Sequence, residues 1–474
     1  MSKRKDIKRS KNKVPYPDLS EFSFSEDSGR YFRKLLRDDP DKALWAVFLT
    51  ENPDFKGGVQ TDYPLHAAVV ERRDEIVKAL VKKGATLDVR NKEGMTPLML
   101  AVQQFASNEI IDFLIKSGAD VRLTDSNGRT ILHYMRDHER IEKFVNLGAD
   151  INAASFDEGT LLHRAVTERD IETAKFLLQK NALTSVKRPK DGNTPLHLAS
   201  TREMASFLLE NKADINALNE DKKTPLHLAI ENGNEALAAF YLEKGADALA
   251  VDSSGKTPLE IACYNGMPKI AEALIKKGAK TDKRDYTDRN LLFEAKNAEI
   301  VDLLVKNNVS VNHLDEDRKT PLHTAKSKEV ALALLKHGAD IEARDEHGET
   351  PLHSAIDHGR YDVAEALVEQ GAHIIYNQTI PGLSPLEYAE NQLKNNKNMS
   401  EEKKMQLEAL IDKMRQKANG FLLGLHDIGL AQNEEHSQTQ GGLSSLLRQN
   451  AGSDITADKE QMEIVPHKNG RSMA

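Results

Sequence analysis

The 474-residue chain contains one cysteine, Cys263. An intrachain disulfide is therefore excluded, as is a zinc site built on cysteines, and the chain fits a reducing compartment. Aromatic residues make up 5% of the sequence, which suits thin layers of Leu, Ala, Ile and Val better than one thick core. No apolar run approaches the roughly 20 residues needed to cross a bilayer, and Ala43 to Leu49 is the best run there is. The basic start has no apolar segment behind it, so a secretory signal is not expected. A net charge of −8 argues against a dedicated nucleic-acid binder. Enzyme signatures are missing too. The chain has no Gly-rich phosphate loop followed by Lys-Ser/Thr, no Gly-x-Ser-x-Gly and no His-Glu-x-x-His.

What is there is a period. Thr-Pro-Leu-His and its degenerate copies place the residue at the Pro position at Pro64, Pro97, Ile131, Leu161, Pro195, Pro225, Pro258, Leu291, Pro321, Pro351 and Pro385. The intervals are 33, 34, 30, 34, 30, 33, 33, 30, 30 and 34 residues. Such spacing predicts a solenoid, in which each unit buries its apolar face only against its neighbours. A Thr precedes most of these prolines, and its hydroxyl can cap a helix whose first turn tolerates proline. Apolar spacing at Ile76, Val77, Leu80 and Val81 predicts a second helix. A glycine such as Gly84, Gly118 or Gly245 then supplies a left-handed C-cap. Clusters such as Asp125-Ser126-Asn127-Gly128 close a turn.

Units such as Thr224-Pro225-Leu226-His227-Leu228-Ala229, closing with Lys244-Gly245-Ala246-Asp247, resemble ankyrin repeats. The resemblance implies an all-α ankyrin-repeat solenoid of about eleven repeats, with helix–turn–helix units and β-hairpin fingers. It also implies protein binding rather than chemistry. Irregular units and an Asn/Lys-rich composition are similar to ankyrin effectors exported by bacterial type IV machinery.

Four units, at Ile131, Pro195, Leu291 and Pro321, are three residues short. The lost segment is expected to be the turn between the two helices, which departs from the family pattern and from regular curvature. Residues 1–27 read as a disordered basic tail and 28–60 as a helical cap on the repeats at 61–395. Residues 396–419 read as a capping helix ending at Asn419-Gly420, and 420–474 as a mostly disordered tail. The tails offer a basic import-like run (Lys3 to Lys13), export-like leucines (Leu422, Leu425, Ile428, Leu430), a Leu-x-x-Leu-Leu segment (Leu443 to Leu447) and an acidic stretch from Asp458. Each pattern is common by chance in solvated tails.

The motif histidines (His66, His133, His163, His197, His227, His323 and His353) lie one repeat apart. That is roughly 10 Å, whereas metal ligands converge within about 2 Å. In the ankyrin family such histidines bond to backbone between repeats. Cys263 replaces a small packing residue, with only Tyr264 and Asn265 beside it, so a buried thiol is expected rather than a nucleophile.

The resemblance places a concave contact face on the fingers and the exposed ends of the first helices. The finger residues are Arg90, Arg129, Phe156, Arg188, Lys190, Lys222, Tyr286, Arg318 and His347, and Tyr264 lies on a first helix. Phe105, Asp357 and His358 are further helix positions. Phe156 and Tyr286 rank first, because aromatic side chains are costly to leave exposed and typical of anchors. The reading is a non-catalytic, monomeric adaptor for a protein partner, with no cofactor, metal, nucleic acid or membrane insertion. It would work in the cytoplasm or after export into a host cell. An enzyme, or an enzyme-modulating effector with a cryptic site outside the regular repeats, is the alternative.

Overall fold

The computed structural model describes residues 28–54, 63–375, 382–396 and 399–427, with the side chains of 28–30 and 420–427 left aside. The basic run, the leucine motifs from Ile428 onward and the acidic stretch from Asp458 lie outside these residues. The chain divides into two compact units, Met1–Pro258 and Leu259–Ala474.

The first unit opens with helices Ser28–Asp38 and Pro40–Leu49. They join the first repeat through Arg73 Nε, which donates to the Leu36 carbonyl at 2.7 Å, and through an Arg37–Glu71 pair at 2.6 Å. Helix pairs then follow at the sequence period. Where the unit is full, the first helix has seven residues, as in Pro64–Val70, Pro97–Gln103, Leu161–Thr167 and Pro225–Glu231. The second helix has nine, as in Asp74–Lys82 and Glu235–Glu243. The reason lies in the sequence. Thr96 Oγ1 accepts the Met99 N–H at 3.2 Å, and Pro97 fills the first helical position, where no N–H is needed. The leucine after each anchor (Leu65, Leu98, Leu132, Leu162, Leu196, Leu226) is buried, as are Leu80, Leu114, Phe144, Leu177, Leu208 and Tyr241 of the second helices. Each of these side chains contributes about 1.5–3 kcal/mol by leaving water.

Full units close the first helix with a residue at positive φ eight places after the anchor: Gly233 at 71°, but also Arg72 at 52°, Phe105 at 54° and Arg169 at 60°. This left-handed cap is normally glycine's, and the three larger side chains pay a backbone cost there.

The short units differ from expectation. The inter-helix connection keeps its length, and the first helix gives up its second turn. The Ile131 unit retains a 3-10 turn, Ile131–Tyr134, and the Pro195 unit only Pro195–Leu198. An extended residue follows directly, Met135 or Ala199, in place of the left-handed cap. The second helices, His138–Asn146 and Arg202–Glu210, keep nine residues. Their packing against neighbours fixes nine, whereas the last turn of the first helix is the part the core can spare.

In the second unit, full repeats begin with Pro258–Asn265 and Pro351–Asp357. Two short ones lie between them: a 3-10 turn at Leu291–Glu294, and residues 321–324 as turns only. Second helices are Pro268–Lys276, Ala298–Lys306, Lys328–Lys336 and Tyr361–Glu369. Helix Pro385–Asn395 and a 27-residue helix, Glu401–Asp427, complete the unit. The last buries Leu407, Leu410, Ile411, Met414 and Ala418. It runs through Asn419-Gly420 instead of stopping there. A glycine inside a helix costs only about 1 kcal/mol, a bias rather than a stop. Among the described residues the fingers are tight turns, with isolated bridges Thr124–Thr130 and Ser155–Gly159 and no longer strand.

Candidate protein-binding surface

The surface is built on a repeated hydrogen-bonded frame. In the Leu161 unit, the Thr160 N–H donates to His163 Nδ1 at 3.1 Å, and His163 Nε2 faces the Asn193 carbonyl of the next finger at 2.9 Å. Accepting at Nδ1 leaves the proton on Nε2, so the ring is neutral and donates onward. The same arrangement joins His133 to Gly159, His197 to Lys223, His323 to Glu349 and His353 to Leu383. His66 reaches the Met95 carbonyl at 2.9 Å. Burial pushes the pKa of His163 down to about 4 and lowers those of His133, His197, His227, His323 and His353. These histidines hold backbone between repeats. Among the described residues, no group of three or more His, Cys, Asp or Glu is placed to hold a metal ion. Cys263 is fully buried and its thiol is pushed up to about 12 by burial, so it is held as the thiol rather than the reactive thiolate.

Most fingertips are fixed by their own carboxylate or amide, and the Ser155–Gly159 tip by its paired backbone bonds. Asp125 Oδ1 accepts the N–H groups of Asn127 and Arg129, both at 2.8 Å, and Asp252 does the same for Ser254 and Lys256. Neighbouring tips share one backbone bond each: Ser126 N–H to Glu93, Phe156 N–H to Asn127 and Glu220 N–H to Asp191 in the first unit, and Glu346 N–H to Asp317 in the second. The tips therefore present side chains from a preorganised row.

Within each unit taken by itself, the candidate residues fall into two groups. Several cations are tied into the scaffold. Arg90 bonds the carbonyls of Gly94 and Thr124, and Arg129 pairs with Glu158 at 2.8 Å. Arg188 pairs with Asp191 of its own turn, and Lys190 lies 3.3 Å from Asp157. The others stand out from the frame. Phe156 is 54% exposed and Tyr286 93%. Lys222 and Arg318 are exposed at left-handed turn positions, and His347 is exposed 3.6 Å from Glu346. Tyr264 is half-exposed, with Lys326 Nζ 4.9 Å above its ring and Lys326 in turn 3.1 Å from Glu294. Phe105, 74% exposed, sits on one of the left-handed caps.

The sequence reading missed the groups that repair the shortened helices. Arg164 Nη1 and Nη2 donate to the carbonyls of His133 and Met135, both at 2.7 Å, where the Ile131 unit stops early. Tyr241 Oη donates to Leu196 at 3.2 Å and Asn234 Nδ2 to Ser200 at 2.9 Å, serving the Pro195 unit. Arg360 does the same in the second unit, reaching Ala325 at 2.7 Å and His323 at 2.9 Å. A usable signal existed for the Ile131, Pro195 and Pro321 units: a polar or charged residue one unit downstream of the shortened first helix.

Paired helices repeating at 30–34 residues, capped by Thr-Pro-Leu-His and bridged by tight fingers, define a class of repeat proteins built for surface recognition. The model of "Ankyrin repeats (3 copies)" matches in overlapping windows from 42 to 285 and again over 291–378. The chain belongs to the ankyrin-repeat family, a general protein-interaction module. It is 29% identical over 189 residues to the nuclear factor NF-kappa-B p105 subunit of Gallus gallus, a match covering 36% of this chain and 19% of that protein. It is 29% identical over 167 residues to phosphocholine transferase AnkX of Legionella pneumophila, covering 33% of this chain and 17% of AnkX. A putative ankyrin repeat protein of Rickettsia bellii is 27% identical over 149 residues, 31% of this chain and 21% of that protein. The chain thus spans about a fifth of the length of each of these relatives. Among the described residues, no helix is long and apolar enough to cross a membrane.

Proposed function

We propose that this chain is a non-catalytic adaptor that holds a protein partner on the face formed by its fingers and first-helix ends, the concave face in ankyrin proteins. The observation that carries the reading is the exposure of Phe156 and Tyr286 on turns whose backbone is already fixed. A rigid loop presenting an exposed ring loses little entropy on binding, and aromatic anchors dominate interface energies. The outer helices, by contrast, neutralise themselves with inter-repeat pairs such as Lys78–Glu109 at 2.8 Å and Lys336–Asp302 at 3.2 Å.

Affinity capture from lysate, comparing wild type with a Phe156→Ala/Tyr286→Ala variant of equal thermal stability, tests this. A partner held by wild type and lost by the variant supports the reading. Capture that survives the double change, or that depends on residues 420–474 alone, removes it. Light scattering on the same preparation checks the monomer, and a nucleic-acid shift assay checks that none is bound.

The matches to Legionella and Rickettsia proteins support a bacterial protein that acts after export into a host cell. A translocation reporter fused to the full chain and to a chain lacking 420–474 tests it, and absence of transfer in both rejects it. AnkX is named a phosphocholine transferase, and its match covers only a third of this chain. Transfer of a labelled phosphocholine group by the purified chain would replace the adaptor with an enzyme.

A further inference from the structure

The left-handed residues that close the first helices of the full units divide into two sets. Gly233, Gly266 and Gly359 hold φ of 71°, 72° and 65°, which glycine adopts freely. Arg72, Phe105 and Arg169 hold 52°, 54° and 60°, where a Cβ is strained. All three lie in the first compact unit. Strain of this kind gathers at functional sites, where it holds a side chain in place.

For the arginines part of the reason is structural. Arg72 Nη2 donates to the Gln104 carbonyl at 2.9 Å, and Arg169 Nε to Ser200 Oγ at 3.0 Å, each reaching the next repeat. Phe105 has no such bond. Its ring is 74% exposed and meets no aromatic or cationic partner among the described residues. It combines a strained backbone with an exposed ring, and nothing within the chain offsets either.

The surroundings of this ring are cationic. Arg72 is bonded to the residue that precedes Phe105 in the chain. In the next, shortened unit the place just before the second helix's cap is held by Arg136, and one unit further by Arg169. All three arginines are exposed. The carboxylates along this row are engaged. Arg37 pairs with Glu71 at 2.6 Å and Arg136 with Glu168, while Asp137 and Asp170 accept N–H groups of the helices they cap. Arg72 and Arg169 have no carboxylate partner among the described residues.

We propose that Phe105, Arg72 and Arg169 seat an extended acidic segment of the protein partner, with an apolar side chain on the Phe105 ring and a carboxylate at each arginine. The inference rests on the protein-binding reading and names the partner's chemistry at the first-helix ends. Successive repeats lie roughly 10 Å apart, which puts about 30 Å between the two arginines. An extended chain rises about 3.3 Å per residue, so about ten residues span them. Its apolar residue falls about three positions from the Arg72 end, one repeat along the row. Guanidinium forks take carboxylates bidentately. The net charge of −8 opposes an acidic ligand elsewhere, so such a segment is held only where the local charge is positive.

The test is fluorescence anisotropy of the full chain with a labelled Ser/Gly decapeptide. It carries a glutamate pair at each end and a leucine three residues from one end, and is made in both chain directions. One direction is expected to bind about tenfold tighter than its counterparts with glutamine for glutamate or serine for leucine, as loss of an anchor predicts. Phe105→Gly and Arg72→Gly/Arg169→Gly should each weaken binding by about as much. Both keep the fold, because glycine is what the other full units carry at this place. High salt should erase the arginine effect and leave that of Phe105. Equal binding of the glutamine peptide, of a lysine peptide or of a single-stranded oligonucleotide overturns the proposal, as does full affinity in either glycine variant. If no peptide binds while Phe156 and Tyr286 still govern partner capture, the acidic seat falls and the adaptor stands. If the peptide binds as expected while capture ignores Phe156 and Tyr286, the seat stands and the finger residues leave the contact face.

Discussion

The Pro225 and Pro195 units lie side by side and share the Thr-Pro-Leu-His-Leu-Ala sequence, yet the first builds a seven-residue helix and the second four. Both bury the same leucine and donate through the same threonine–histidine frame. The difference teaches where an ankyrin unit keeps its slack. The anchor turn and the nine-residue second helix are fixed by packing, whereas the end of the first helix can be removed if its orphaned carbonyls find donors. Unmade hydrogen bonds on buried groups cost about 1–3 kcal/mol each, so the neighbour's Arg164, Tyr241, Asn234 or Arg360 is part of the deletion.

Acid should act on both kinds of unit alike and so dissolve the distinction. Burial holds six motif histidines, His133, His163, His197, His227, His323 and His353, below their ordinary pKa, so the unfolded chain takes up more protons as the pH falls. Stability is full above about pH 6.5 and falls as the pH drops, for His163 until about 4. His163 alone accounts for about 3 kcal/mol of that loss. Urea melts between pH 7 and 4 check it, and a flat profile would mean that the rings take up protons as readily in the folded chain as in the unfolded one.

The comparison breaks next at the plug. Arg164→Met leaves the carbonyls of His133 and Met135 without their donors and should cost about 3 kcal/mol. Arg136→Ala, one unit upstream and paired with Glu168 on the exposed surface, should cost less than about 0.5 kcal/mol. Equal losses in chemical denaturation would show that the plug is ordinary surface charge.

A smaller effect of opposite sign sharpens it. Phe105→Gly relaxes a left-handed cap that only full units possess and should stabilise by up to about 1 kcal/mol. If Phe105 also contacts the partner, capture weakens as the melting temperature rises. A destabilised Phe105→Gly chain would place the ring in the core instead.

The repeat was legible because its signals coincide: the hydroxyl before the anchor, the buried leucine after it and the left-handed residue closing each unit fall at one period. Chain length between anchors reveals that three residues are missing from the Ile131 unit but not which three, since spacing cannot separate a lost helical turn from a lost loop. Nothing in the sequence marks the partners of Arg164, because they are carbonyls about thirty residues upstream and a carbonyl has no letter in the sequence. The contact face was partly legible. Aromatic residues in polar turns mark Phe156 and Tyr286, whereas Arg129 and Arg188 look identical in sequence to free cations and are consumed by Glu158 and Asp191. Asn419-Gly420 suggested a helix end that the continuing chain overrides.

The arginine plug also bears on how such a chain can be inherited. Duplicating or deleting the Ile131 unit alone would separate a truncated helix from the downstream guanidinium that completes it. Recombination that carries the Ile131 and Leu161 units together keeps the plug intact, so at this point of the array the pair, rather than the single repeat, is the piece to copy.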